Sequence, residues 1–202
     1  MEVLTAALVA FVAIVPVELP DKTFVATLVL STRYRPLPVY LGVLVAFGVQ
    51  CLIAVVAGTL ISRLPQRPVE FVAATLFAVG AVVLVRGARR GETTEEEAEH
   101  EYAGKLADAR RGWRAALASF LILFTAEWGD LSQLLTAGLV ASGRPAVPVF
   151  FGAWAGLAVV SGLAILLGRW LLKRVKLSLV RYVAAVVCTV LAVITLIQAI
   201  TD

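Results

Sequence analysis

Histidine occurs once in this sequence and cysteine twice. His100 sits in a glutamate-rich stretch, and Cys51 and Cys188 lie inside separate apolar runs with no CxxC pair. Zinc and copper sites draw on clustered His and Cys, so this scarcity argues against both. It also leaves no Ser/His or Cys/His arrangement and no HExxH for a hydrolase. The cysteines read as small buried residues, with no disulfide expected. Charge is scarce as well: 16% of residues, against about a quarter in a soluble domain. The N-terminus has no basic stretch before its apolar run, so a cleaved signal peptide is not expected.

What is abundant is apolar surface, at 60% of the 202 residues. The apolar runs exceed twenty residues and lack period-two alternation, which predicts membrane-spanning helices and excludes a barrel. Six spans are expected, at roughly 3–31, 37–62, 69–86, 114–141, 146–171 and 178–199. The first would be about 43 Å long as one helix, against a hydrocarbon core of about 30 Å. Pro16 and Pro20 predict that it breaks, and the fourth span has Gly129 at the matching place.

The net charge of +4 does not indicate nucleic acid, because the basic residues gather at the ends of the runs. Fourteen of the eighteen Lys and Arg follow spans one, three and five. The positive-inside rule then places both termini outside and the long charged loop in the cytoplasm, with the chain in the cytoplasmic membrane.

The two halves repeat. At an offset of 109, Glu18, Asp21 and Thr23 fall on Glu127, Asp130 and Ser132, and Arg35-Pro36 falls on Arg144-Pro145. With one residue inserted, Pro38, Gly42 and Gly58 fall on Pro148, Gly152 and Gly168. Three spans per repeat is an odd number, so the second copy inserts upside down. The expected fold is an all-α integral membrane protein of six transmembrane helices in two three-helix inverted repeats. The first helix of each repeat is kinked or broken at its acidic motif. The divisions are 1–86 for the first repeat, 87–113 for the charged loop and 114–202 for the second repeat.

Ten of the fourteen acids lie at termini or in loops; Glu18, Asp21, Glu127 and Asp130 lie deep in the spans. A carboxylate at mid-bilayer costs at least about 2.5 kcal/mol, and Lys22 alone cannot neutralise four. The excess needs protons or a cation. Glu and Asp at i and i+3 share a helix face. Thr23 and Ser132 add hydroxyls, and Gln133, Thr27, Thr136 and Gln50 offer further oxygen. An all-oxygen set suits a hard divalent ion, Ca²⁺ or Mn²⁺, with Mg²⁺ disfavoured by its reluctance to shed water and Na⁺ left open. Crowded carboxylates cannot all stay charged once the cation leaves, so proton-for-cation exchange is the natural cycle. The expectation is transported Mn²⁺ or Ca²⁺ and H⁺, no permanently bound cofactor and no enzymatic activity. The partners are the divalent cation and the lipid bilayer; no oligomer is indicated.

ELPDKTF and EWGDLSQ resemble the paired E-x-G-D-[K/R]-[S/T] motifs of the Gdt1-like cation/proton exchangers, and the resemblance runs over nearly the whole chain. It implies export of Ca²⁺ or Mn²⁺ from the cytoplasm, with Glu18, Asp21, Glu127 and Asp130 as ligands and Thr23 and Ser132 at the hydroxyl positions. The chain departs from the motif twice. Pro20 stands where the family has Gly, and Leu131 stands where the second motif has Lys or Arg. Lys22, left without a counterpart, reads either as a static counterion of Asp21 or as a switch that occupies the acids when the cation leaves.

The loop holds six glutamates within 92–101. Thr94 and Glu97 fit a capping box, which predicts a short surface helix. It serves as a solvated connector or as an acidic antenna for cations. Trp113, Trp154 and Trp170 read as interface anchors or packing, and Trp128 as packing or a wall of the site. Gly138, Gly152, Gly156 and Gly162 are expected where helices approach closely. Two rivals stand beside the cation exchanger: an exporter of a small organic cation or amino acid, and an intramembrane enzyme working with two carboxylates.

Overall fold

The computed structural model describes residues 2–19, 22–90, 113–174 and 177–201. These form eight helices and no strand among the described residues. In chain order they are α1 (Glu2–Glu18), α2 (Lys22–Arg33), α3 (Pro36–Ile61), α4 (Gln66–Arg90), α5 (Trp113–Ala126), α6 (Leu131–Ala141), α7 (Ala146–Arg174) and α8 (Leu177–Thr201). The expected loop helix near Thr94 and Glu97 lies outside the described residues.

Local chemistry sets the boundaries. Arg35 is extended ahead of Pro36, the first residue of α3. A proline disfavours helix in the residue before it, and its fixed φ suits the first helical turn. After α6, Gly143 takes φ +87°. Its N–H reaches the carbonyl of Val140 and that of Arg144 reaches Leu139, a Schellman turn that ends the helix ahead of Pro145.

Four helical stretches are long and apolar enough to cross a bilayer: Pro36–Ile61, Arg67–Arg89, Ala146–Leu166 and Leu179–Thr201. Helices α5 and α6 make a fifth candidate, bent by 70° across a short break. The first predicted span is divided as well, but not at Pro16, which lies inside α1. Pro16 removes only the donor to Val12, and the helix ends two residues later at Glu18. Helix α4 extends beyond the expected 69–86 at both ends.

The surface is apolar, and small residues line the interior where helix backbones meet. Leu4, Leu8 and Val12 of α1 and Leu41, Val45, Leu52 and Val56 of α3 face outward, as do Val186, Val190 and Val193 of α8. Such a continuous apolar exterior suits lipid rather than water. Inside, Ala6, Ala10 and Ala13 of α1 and Ala46 and Ala54 of α3 are buried, which lets the backbones approach closely.

Helix α4 packs most extensively against α8, α1 against α7, and α5 against α3. Helices α3 and α7 cross antiparallel: Tyr40 Oη donates to the carbonyl of Ala158 (3.2 Å), and Trp154 Nε1 to that of Leu44 (2.9 Å). Two close contacts are reciprocal. A methyl group on Gly42 of α3 would collide with the carbonyl of Ala116 in α5, and one on Gly152 of α7 with the carbonyl of Ala7 in α1. Cys51 and Cys188 are buried in α3 and α8.

Candidate cation site

The two acidic motifs fall at the two breaks. Glu18 is the last residue of α1. Glu127 directly follows α5, its N–H still bonded to the carbonyl of Leu123 (3.0 Å). Helix carboxyl ends carry partial negative charge, so a carboxylate placed there is electrostatically adverse without a cation. Glu18 is 1% exposed and Glu127 5%. Asp130 instead caps the start of α6, its Oδ2 accepting from the N–H and the hydroxyl of Ser132 (both 3.3 Å). A helix amino end favours this anion.

The fold brings Glu18, Glu127 and Asp130 together. One carboxylate oxygen from each lies within 4.8 Å of the others. Oxygens on opposite sides of a Ca²⁺, with bonds of about 2.3–2.6 Å, stand about 5 Å apart, so this cluster has the dimensions of a cation cage.

Asp21 lies outside the described residues, as do the side chains of Lys22 and Thr23, which belong to the start of α2. Ser132 is buried and turns its hydroxyl to Asp130. Gln133, a candidate ligand, is engaged on the break itself. Its Nε2 donates to the carbonyl of Glu127 (2.7 Å) and its Oε1 accepts from the N–H of Gly129 (3.3 Å). Gly129 takes φ +77°, the left-handed conformation that lets the chain turn between α5 and α6.

Of the further oxygens, Thr136 donates to the carbonyl of Ser132 (2.7 Å), while Thr27, fully buried at the equivalent position in α2, makes no hydrogen bond through Oγ1 among the described residues. Gln50 is 3% exposed and spans from α3 to α5, its Nε2 donating to the carbonyls of Phe124 (3.2 Å) and Leu123 (3.5 Å). Trp128 is 61% exposed and stands edge-on to Phe124, with ring centres 5.1 Å apart. Leu131 packs its Cδ1 over Gly80 of α4. Glu70, counted above among acids at termini or in loops, is buried in α4 at 6% exposure, and its Oε2 has no hydrogen bond among the described residues. Glu70 lies at the second position of the predicted third span, and the earlier start of α4 at Gln66 sets it a full turn inside the helix.

Comparison with known proteins follows the same outline. The family described as divalent cation/proton antiporter GDT1 matches residues 6–92 and 115–202, which leaves out most of the charged loop. A GDT1-like protein of Synechocystis is 30% identical over 200 residues, covering 95% of this chain and 97% of the relative. The chloroplastic protein PAM71 of Arabidopsis thaliana is 32% identical over 95% of this chain, and its chloroplastic PAM71-homolog 30% over 92%. This chain spans only 56% and 57% of the lengths of those two plant proteins. No solved structure matches.

Proposed function

The chain belongs to the GDT1 family of divalent cation/proton antiporters, and on that premise we propose that it exports Mn²⁺ or Ca²⁺ from the cytoplasm in exchange for protons. The observation that carries this is the meeting of Glu18, Glu127 and Asp130 within 4.8 Å, from two motifs 109 residues apart in the sequence. Carboxylates this close repel one another, so they are stable together only with a cation or with protons among them. A site that must hold one or the other is an exchanger by its electrostatics. With oxygen as the only ligand atom, hard divalent ions fit best.

The proposed architecture has six spans in two inverted repeats. Its support is the reciprocity of Gly42 on Ala116 and Gly152 on Ala7, which are the same contact made in both directions at offsets of 110 and 109 residues. Under that relation Asp21 and Thr23 join the cluster from the first motif as Asp130 and Ser132 do from the second. The full ligand set is then Glu18, Asp21, Glu127, Asp130, Thr23 and Ser132, with Gln133 holding the break and keeping one lone pair of Oε1 for the ion. Lys22 serves as counterion to the emptied site. Both termini lie outside the cytoplasmic membrane and the charged loop inside, following the distribution of Lys and Arg. Exchange proceeds by rocking one repeat against the other around the fixed acids.

The test is flux in proteoliposomes with Mn²⁺, Ca²⁺, Na⁺ and lysine offered separately, with Asp21→Asn and Asp130→Asn as controls. Uptake of a divalent ion driven by a proton gradient, and lost in both variants, supports the proposal. Uptake that continues unchanged after the gradient is collapsed refutes proton exchange, and uptake of lysine alone points to an organic-cation exporter.

A further inference from the structure

A broken helix leaves carbonyls without their usual donors, and in a lipid environment such groups must find partners within the protein. The carbonyl of Phe124 would accept from residue 128 in a continuous α-helix. Here α5 ends at Ala126 and the chain turns away. The donor comes instead from another helix: Gln50 of α3 places Nε2 at 3.2 Å from Phe124 O and 3.5 Å from Leu123 O. The orientation of the carboxamide is unambiguous, because only its NH₂ can face two carbonyls. Gln133 braces the next stretch through Glu127 O and Gly129 N. Together the two amides hold the backbone from Leu123 to Gly129, the segment that carries Glu127.

The first motif has no amide at the equivalent positions. At the offsets of the repeat, Gln133 corresponds to Phe24 and Gln50 to Val160, both buried and packed together in one apolar cluster. Where the second motif has two amides, the first has apolar packing.

We infer that Gln50 is a positioning residue for the exchange site: it caps the carboxyl end of α5 from α3 and thereby fixes Glu127 against Glu18 and Asp130. It does so without adding a charge to a cluster already rich in acids. This rests on the proposal that these acids bind the transported cation. It assigns Gln50 an effect on cation affinity rather than on turnover.

The experiment compares wild type with Gln50→Leu and Gln50→Glu in two arms. Hydrogen–deuterium exchange of the purified, cation-free protein reads the break directly. Gln50→Leu should speed exchange in the peptide containing residues 123–130 about tenfold and leave α4 and α8 unchanged. Flux in proteoliposomes reads function: Gln50→Leu should raise KM for Mn²⁺ or Ca²⁺ about tenfold, the size of an outer-shell effect, with the maximal rate within about twofold. In Gln50→Glu only the protonated carboxyl can donate to Phe124 O. Its KM relative to wild type should therefore shrink as pH is lowered, while that of Gln50→Leu stays constant. Taking the ratio at each pH removes the titration of the site acids themselves.

Unchanged exchange at 123–130, or a loss of maximal rate at constant KM, overturns the inference. So does a Gln50→Glu ratio that does not fall with acid, which decides the matter if Gln50→Leu does not fold. If wild type transports neither cation, the proposed cargo fails, and the exchange arm still decides the role of Gln50.

Discussion

The carboxylates of Glu18 and Glu127 meet within 4.8 Å although 109 positions separate them in the sequence. Each stands at the carboxyl end of a helix, Glu18 as the last residue of α1 and Glu127 just after α5, and each is buried. Two helix carboxyl ends and two acids thus converge on one point, which is the electrostatic arrangement a cation requires.

Removing either glutamate charge should therefore abolish exchange while leaving the fold intact. Glu18→Gln and Glu127→Gln keep size and hydrogen-bonding capacity and relieve the mutual repulsion. Their thermal unfolding temperatures in detergent should equal or exceed that of wild type, and cation affinity should fall more than about tenfold, equivalent to about 1.4 kcal/mol. A lower unfolding temperature for both would mean that the acids act as structural glue.

Asp130 has two roles that substitution can separate. As cap of α6 it accepts from Ser132, and as a charge it faces Glu18 and Glu127. Asparagine caps as well as aspartate, so Asp130→Asn should lose transport and keep its stability. Asp130→Ala should lose transport and also about 1 kcal/mol of stability. Equal stability in the two variants would show that the cap contributes nothing.

The glycines at the break and at the crossings should fail for different reasons. Gly129 has open space around it but a positive φ, so Gly129→Ala should lose about 1–2 kcal/mol, and Gly129→Asn less, because Asn tolerates that conformation. Gly42→Ala and Gly152→Ala meet backbone carbonyls and should each lose about 1–3 kcal/mol by overpacking. Unfolding temperatures measured side by side check all four. A tolerated Gly42→Ala would contradict the close approach of α3 and α5.

Cation binding should depend on pH with a definite sign. The ion binds carboxylates, so protons compete with it: affinity should rise as pH rises, and binding should release protons. Calorimetry in two buffers of different ionisation enthalpy measures that release. Affinity that does not change with pH would remove the basis for exchange.

The meeting of Glu18, Glu127 and Asp130 could be anticipated from the sequence, because a charge in an apolar run has few structural explanations, and a repeat of the same motif has fewer. The division of the first span was legible from its length. Its place at the acidic motif was legible too, from the prolines that flank Glu18; that Pro16 itself stays inside α1 was not, since it sits close enough to the helix end to be accommodated there. Gln133 was legible as an oxygen-bearing residue at the second motif; its bracing of the break was not, because the backbone groups it meets are exposed only once the helix is interrupted. Gln50 could be noticed as a polar residue in an apolar run, but its partners lie more than seventy residues away, beyond the reach of any local pattern. Leu131 differs from Lys22 in charge, and only the packing against Gly80 tells where its side chain goes.

The central claim is that one cluster of acids holds either the cation or protons. Its most direct measurement is simultaneous recording of divalent-ion uptake and proton movement in the same proteoliposomes, with a pH-sensitive dye trapped inside. For wild type the two fluxes should run in opposite directions and keep a fixed ratio as the Mn²⁺ or Ca²⁺ concentration is varied. Both should vanish together in Glu127→Gln. Divalent uptake with no accompanying proton flux, or a proton flux that survives in Glu127→Gln, would contradict the account.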